Sequence, residues 1–518
     1  MKLPSANQHT FARVPRADIP RSQFDRSFGH KTTFDAGLLV PVYIDEALPG
    51  DTFNMRMSAF ARLATPIFPI MDNMYLETFF FAVPNRLVWD NWERFNGAQD
   101  DPGDSTDYTI PKTGSYIPIE GGVSDHMGIP IVAGTNISVL WHRAYNLIWN
   151  EWFRDQNLQD SLRVETGDST QDMASYEGLK RRGKRHDYFT SCLPFPQKGP
   201  DVLLPLGTTA PIVPSGGPFT WTEATAQNIT AVNMPAGAGP NLNVQSTGGW
   251  AGGDAYWSNP ALAADLTNAT AARINDIREA FQVQKVLEAD ARGGTRYIEI
   301  IAAQFGVTSP DARLQRPEYL GGGSTPIMIN PIAQTSETSG SPQGNLAAIG
   351  TGSLHGHGFT KSFTEHCLLI GLVCARADLT YQQGVERQFW RTTRFDFYWP
   401  KLAHLGEQAV LVKEIERTNT AAEDLVFGYQ ERYAEYRYKP SLITGKFRSS
   451  ATGTLDAWHL SQEFSGVTLD ETFIQENPPV DRVIAVPTEP HFLFDSHFQL
   501  RCARPMPVYS VPGLVDHF

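Results

Sequence analysis

DTFNMRMSAF, residues 51–60, alternates without a break: Phe53, Met55, Met57 and Ala59 fall on one face, Asn54, Arg56 and Ser58 on the other. A period of two predicts a strand with one face on a core and one towards water. The next apolar stretch, residues 73–83 (NMYLETFFFAV), is apolar on both parities, as expected of a strand buried on both sides, and Pro84 ends it. Strand-like segments return far downstream at 365–376, 393–399, 409–415 and 481–486, with a last apolar stretch at 491–502. Strands at both ends of the chain, with long insertions between them, predict a mainly β protein. Its two sheets are completed by sequence-distant strands. The 43 Gly and 36 Pro scattered through 518 residues agree, because they imply many turns and long connections.

Between these ends the period changes. In 136–154, Trp141, Tyr145, Ile148, Trp149 and Trp152 recur at three- and four-residue spacing, which predicts a helix with an aromatic packing face. Two further helices are expected: 271–291, stopped by Gly293-Gly294, and 296–305, closed by Gly306. Residues 308–360 are rich in Gly, Ser, Pro and Asn and are expected to be mostly loop, unusually long for one compact domain. Residues 1–35, with Pro4, Pro15 and Pro20, read as an extended arm.

Charge is distributed unevenly. Residues 199–272 hold no Lys or Arg, and Asp201, Glu223, Asp254 and Asp265 are their only charges. Lys2, Arg13, Arg16, Arg21, Arg26 and Lys31 against Asp18 and Asp25 make the first 31 residues +4. Each phosphate contact needs a cation. The leading segment therefore suits nucleic acid and the cation-free insert does not. The net charge of −13 argues against a general nucleic-acid binder while leaving room for a local basic patch. With 41% apolar and 19% charged residues, a large core is expected and wholesale disorder is not.

Residues 1–10 are polar, so no secretory leader is expected. The longest apolar run, 367–375, falls short of the ~20 residues that span a bilayer, so no membrane insertion is expected. Cys192, Cys367, Cys374 and Cys502 show no metal spacing. Cys367 and Cys374, seven apart in one strand, would lie ~23 Å apart on opposite faces, so free thiols are expected.

Motifs for chemistry are lacking. No GxxxxGK[ST], HExxH or GxSxG is present, and neither 321–325 (GGGST) nor 350–358 (GTGSLHGHG) has the strand–turn–helix context of a phosphate loop. His355 and His357 would share a face if extended, but no acidic or Cys partner nearby completes a metal site. Glu365, Asp378, Asp396 and Asp495 lie near strand ends without implying a catalytic pair. Neither a catalytic residue, a metal site nor a cofactor is expected. The densest basic run, Lys180-Arg181-Arg182-Gly183-Lys184-Arg185, reads either as a solvated loop paired with acidic neighbours or as a phosphate contact beside Tyr188 and Phe189.

Several segments in order resemble the major capsid protein of the gokushoviruses, small icosahedral single-stranded-DNA phages of the microvirus family. They include FDRSF (24–28), FDAGLLVPVYIDEALP (34–49), CLPFPQKGPD (192–201), and 278–306 with ARGGTRYIEII inside it. Further on stand SPDARLQRPEYLGGGSTPIMINPI (309–332), RADLTYQQ (376–383), RFDFYW (394–399) and FGYQERYAEYRYKP (427–440). NPPVDRVIAVP (477–487) and CARPMPVYSVPGLVDHF (502–518) complete the set.

The resemblance implies an eight-stranded viral jelly roll with large loop and helical insertions. It implies sixty copies in a T=1 shell around a circular single-stranded DNA genome, assembled in the bacterial host cytoplasm. The chain then divides into an interior basic arm (1–35), a first part of the core with a helical insertion (36–198) and an exposed variable insertion forming threefold protrusions (199–272). Helices and long loops (273–360) and the remainder of the core with a C-terminal extension (361–518) follow. Implied partners are further copies, the genome, an internal scaffolding protein, a pilot protein, a small basic DNA-binding protein and a host surface receptor. Lys2, Arg13, Arg16, Arg21, Arg26 and Lys31 are candidate DNA contacts; Phe219, Trp221, Trp250, Tyr256 and Trp257 are candidate host-surface residues. The alternative is a lectin-like or carbohydrate-active β-sandwich that stacks sugars on the aromatic insert.

Overall fold

The computed structural model describes residues 20–200, 202, 274–293, 297–306 and 315–509, together with strand backbones within 212–264. They fall into two units, one of Met1–Pro196, Thr295–Ile301 and Val307–Phe518, the other of Gln197–Gly294 and Ala302–Gly306.

Eight strands build the sandwich of the first unit: β1 (Phe28–Phe34), β2 (Val40–Ala47), β3 (Thr52–Leu63), β4 (Met74–Pro84), β5 (Glu318–Ala333), β6 (Leu346–Ser362), β7 (Cys367–Ala377) and β8 (Phe492–Arg504). One sheet runs β1-β8-β3-β6 and the other β2-β7-β4-β5, antiparallel throughout. β5 serves both: Glu318–Ile327 pairs with β4, and Met328–Ala333 pairs with β6, so the sheets join into one curled ladder. Successive strands alternate between sheets at every step except β4 to β5, where the chain leaves on its longest excursion. Orders 1-8-3-6 and 2-7-4-5 are those of a jelly roll.

Strand parity fills the core. Phe53, Met55 and Met57 of β3 meet Phe498 and Leu500 of β8, and Leu76, Phe80, Leu369 and Val373 come from the opposite sheet. Each such large side chain, fully buried, contributes ~1.5–3 kcal/mol. β7 is buried at every position. Its Leu369, Val373 and Ala375 enter this core, whereas Leu368, Ile370, Leu372 and Cys374 enter a second one. That second core is closed by helix α1 (Leu140–Ile148), through Leu140, Ala144, Tyr145 and Ile148. The predicted aromatic stripe is thus a packing face. Trp149 continues it in the π-helical turn Trp149–Phe153, and Trp152 packs on Phe81 at 5.5 Å. The sheet β2-β7-β4-β5 therefore lies between two apolar layers.

Several sequence expectations are corrected. Residues 308–360 are not mostly loop, for they supply β5 and β6, the two longest strands described. Their glycines mark close approach. A Cβ on Gly322 would stand 2.0 Å from the Thr78 carbonyl oxygen, and one on Gly358 2.0 Å from that of Met55. Within the segment read as an extended arm, residues 22–34 are extended but belong to the sheet: Ser22–Asp25 and β1 both pair with β8. Residues 393–399 form no strand, because Asp396 accepts the Thr392 and Thr393 amides and closes a 3-10 turn, Arg394–Asp396. Residues 481–486 turn likewise through Val480–Arg482, after Pro478-Pro479. Of 409–415, the strand Glu407–Leu411 covers the first part and pairs with Val426–Glu431, while Val412–Glu414 is a 3-10 turn.

In the second unit, Ala255–Asn259, Thr220–Glu223, Asn228–Asn233 and Asn243–Ser246 form a four-stranded antiparallel sheet in that order. Leu262–Ala264 pairs with Ile212–Pro214. Helix α2, Ile274–Arg292, follows, and α3, Tyr297–Phe305, has its residues divided between the units.

Candidate nucleic-acid face

The sheet β1-β8-β3-β6 turns one parity into the core and leaves the other exposed. On β3 the outward residues are Asn54, Arg56, Phe60 and Arg62, with Ser58 half-buried; on β8 they are Leu493, Asp495, His497, Gln499 and Arg501. Register sets them in rows. Lys31, Asp495, Phe60 and Ser353 form one, and Thr33, Leu493, Arg62 and Thr351 the next. The four cations Lys31, Arg56, Arg62 and Arg501 face two carboxylates, Asp25 and Asp495. Lys31 Nζ stands 3.4 Å from Asp495, an exposed pair of little worth. Among the described residues Arg56 and Arg62 form no ion pair. Lys31, Arg62, half-exposed Phe60 and Leu493 line a shallow basin of about 490 Å³. A flat ring between two cations is the arrangement that stacks a base and holds its phosphates.

The leading cations are placed unequally. Lys31 belongs to this face. Arg26 is spent on Asp45 at 2.7 Å, and Asp45 also accepts from the Tyr43 hydroxyl at 3.3 Å. Arg21 donates to the Thr52 hydroxyl at 2.6 Å, at the sheet's end. Lys2, Arg13 and Arg16 lie outside the described residues, as do Phe219 and Trp250. Trp221 and Trp257 are register partners in the second unit's sheet, beside Tyr256. Arg56, Arg62 and Arg501 escaped the charge reading because each stands alone in sequence; only strand parity gathers them.

The run 180–185 works inside the fold. Arg181 donates to the carbonyls of Ala36 and Glu476 at 3.2 and 3.1 Å. Arg182, Arg185 and Arg376 converge on buried Glu77, which also accepts from Ser324. Lys184 donates to Gln462 at 2.6 Å and lies over Phe473, and burial pushes its amine down to about 8. Three guanidiniums on one carboxylate clasp the loop to β4 and β7: the acidic pairing of the first reading holds, but the run lies inside the fold and is not a solvated loop.

His355 and His357 do not share a face. A bulge at Gly356 (φ 76°) separates them, so that His355 is exposed beside Ser353 while His357 bonds Thr78 at 2.9 Å and Thr325 at 3.2 Å. The four carboxylates near strand ends have structural partners. Glu365 pairs with Arg86 at 2.9 Å, Asp378 with Arg185 at 3.0 Å and Asp495 with Lys31, while Asp396 closes its turn. One grouping was not foreseen. Ser124, His142 and Glu177 meet in the interior, the serine hydroxyl donating to Glu177 and lying 2.7 Å from His142 Nε2. All three are buried, so the Ser124 hydroxyl does not face solvent. All four cysteines are free and buried; Cys367 and Cys374 sit on opposite faces of β7.

Comparison with known proteins agrees with this architecture. The family described as capsid protein (F protein) matches residues 12–514. Capsid protein VP1 of Bdellovibrio phage phiMH2K is 49% identical over 541 aligned residues, covering 100% of both chains. VP1 of Chlamydia phage 1 is 44% identical over 99% of both, and VP1 of Spiroplasma virus 4 is 37% identical over 98% of both. All three are gokushovirus proteins. A jelly roll with one sheet face left open to solvent and full-length likeness to three capsid proteins lead to one conclusion: the chain belongs to the phage capsid protein (F protein) family and is a structural subunit of a virion.

Proposed function

We propose that sixty copies close a T=1 shell around a circular single-stranded DNA genome, with the outer face of β1-β8-β3-β6 towards the DNA. The observation that carries this is the inequality of the two sheets. One is covered by α1, while the other leaves Lys31, Arg56, Arg62 and Arg501 in water beside Phe60. Contacts of this kind are electrostatic and blind to sequence, as a shell that holds a whole genome requires. A net charge of −13 leaves most phosphate neutralisation to other cations, among them a small basic DNA-binding protein. The cation-free insertion, residues 199–272, would lie outside, as threefold protrusions that meet a host surface receptor. An internal scaffolding protein and a pilot protein complete the proposed partners, with assembly in the bacterial host cytoplasm.

Changing Lys31, Arg56 and Arg62 together to Gln tests the DNA-facing role. Exposed side chains of this sort affect stability by about 0.5 kcal/mol or less each, so particle yield should hold. DNA per particle, read from the 260/280 nm absorbance ratio of purified shells, should fall. Parental DNA content in the triple variant would refute the assignment.

A further inference from the structure

Around the two-stranded pair Glu407–Leu411 and Val426–Glu431 lies a third core, built on Tyr188, Phe189, Tyr381, Val410, Ile415 and Phe473. Its outer surface is unusual. Phe389 is 72% exposed, Phe395 58%, and Phe397, Tyr398 and Tyr436 about half. Apart from Phe389, these rings are held by their neighbours. Arg391 lies 4.2 Å over Tyr436 and is fixed by Glu435 at 3.2 Å, with both of those side chains mostly buried. Arg394 lies 4.3 Å over Trp399, and Tyr398 packs edge-on to Tyr433 at 5.3 Å. Tyr433 adopts a left-handed backbone (φ 62°) and donates its hydroxyl to the Phe395 carbonyl at 3.0 Å. A residue without a glycine's freedom holds that conformation only where its surroundings enforce it.

Exposed, contiguous and pre-ordered Phe, Tyr, Trp and Arg are the composition of an interface centre. Such a platform would be an aggregation liability on a free monomer. Its charge points to what covers it. Among the described residues Arg394 and Lys401 form no ion pair, so the edge of the platform is cationic. The loop after Phe95 carries the complement: Asp100, Asp101, Asp104 and Asp107 within eight residues, beside exposed Phe95 and Ile110. Arg94 pairs with Asp100 at 2.8 Å, and Asp104 accepts the Asp101 amide at 3.0 Å, which leaves the loop acidic but folded.

We propose that this aromatic platform seats on the acidic loop of a second copy of the chain, and that this is a main contact between subunits of the shell. Each copy carries one platform and one loop, so the contact is head-to-tail, the kind that propagates and closes into rings. The proposal rests on the shell-building role that the family establishes and is independent of how DNA is held. Its failure would leave the genome-facing sheet untouched.

The test uses the full chain expressed alone. The double change Phe395→Ser, Phe397→Ser should leave the subunit folded, since both rings are exposed, while lowering shell yield by sedimentation at least about tenfold. Arg394→Glu with Lys401→Glu should do the same, and adding Asp101→Lys with Asp107→Lys, which leaves the Arg94–Asp100 pair in place, should restore shells. Hydroxyl-radical footprinting of parental shells against dissociated subunits guards against a folding defect, because Tyr398, Trp399 and Tyr436 should be protected only in shells. Parental yield from the serine variant, no rescue by the reversed pair, equal labelling in both states, or protection only when another protein is present would each overturn the proposal.

Discussion

His142 lies in α1 with none of its surface exposed, and its ring nitrogens show how burial decides a protonation state. The Ser124 hydroxyl donates to Glu177 and accepts from the Tyr116 hydroxyl at 2.8 Å, so His142 must donate to it from Nε2. Nδ1 has no partner. A second proton there would be buried without an acceptor, and desolvation pushes the ring from its ordinary 6.5 down to about 4. Between those values the unfolded chain binds a proton that the folded chain refuses. The stability is therefore fully present above pH 6.5 and is lost as pH falls towards 4. The loss is on the order of 3 kcal/mol. His142→Gln keeps a donor to Ser124 and does not titrate. Its melting temperature should fall less than the parent's between pH 6.5 and 4, and parallel curves would contradict this origin.

At the scale of elements, the glycines of β5 are the sharpest constraint. Gly322 lies opposite Phe79 in the ladder, and a Cβ there would stand 2.0 Å from the backbone oxygen of Thr78, which cannot swing aside. Gly322→Ala should destabilise by ~1–3 kcal/mol or more, measured by denaturant unfolding, and an unchanged midpoint would show that the strands can separate without cost. The same glycines hid β5 and β6 from the sequence, because Gly carries no hydrophobic parity to read. β3, β4 and α1 were legible since their periodicity is written in large side chains whose burial it dictates. The 393–399 segment misled for the opposite reason: alternating aromatics imitate a strand, yet Asp396 caps a turn there and the rings stay exposed. Of the residues proposed to face DNA, only Lys31 was marked by charge clustering. Arg56 was placed on the polar face of its strand, but that face became a candidate site only once α1 was seen to cover the other sheet. Arg26 matched the charge pattern and is nevertheless committed to Asp45.

For the whole molecule, the second unit interrupts the sequence of a jelly-roll core whose eight strands all lie outside Gln197–Gly294. Deleting residues 206–262 should therefore permit shells to form while attachment to host cells fails, scored by electron microscopy and by adsorption. Loss of soluble subunit would show that the core depends on the insertion. The account as a whole turns on which way the sheets face. Cryo-electron microscopy of shells carrying genome measures this directly. We expect Lys31, Arg56 and Arg62 at the inner radius beside nucleic-acid density, with α1 on the other side of the sandwich. Shells in which β1-β8-β3-β6 presents those residues to the exterior would contradict it.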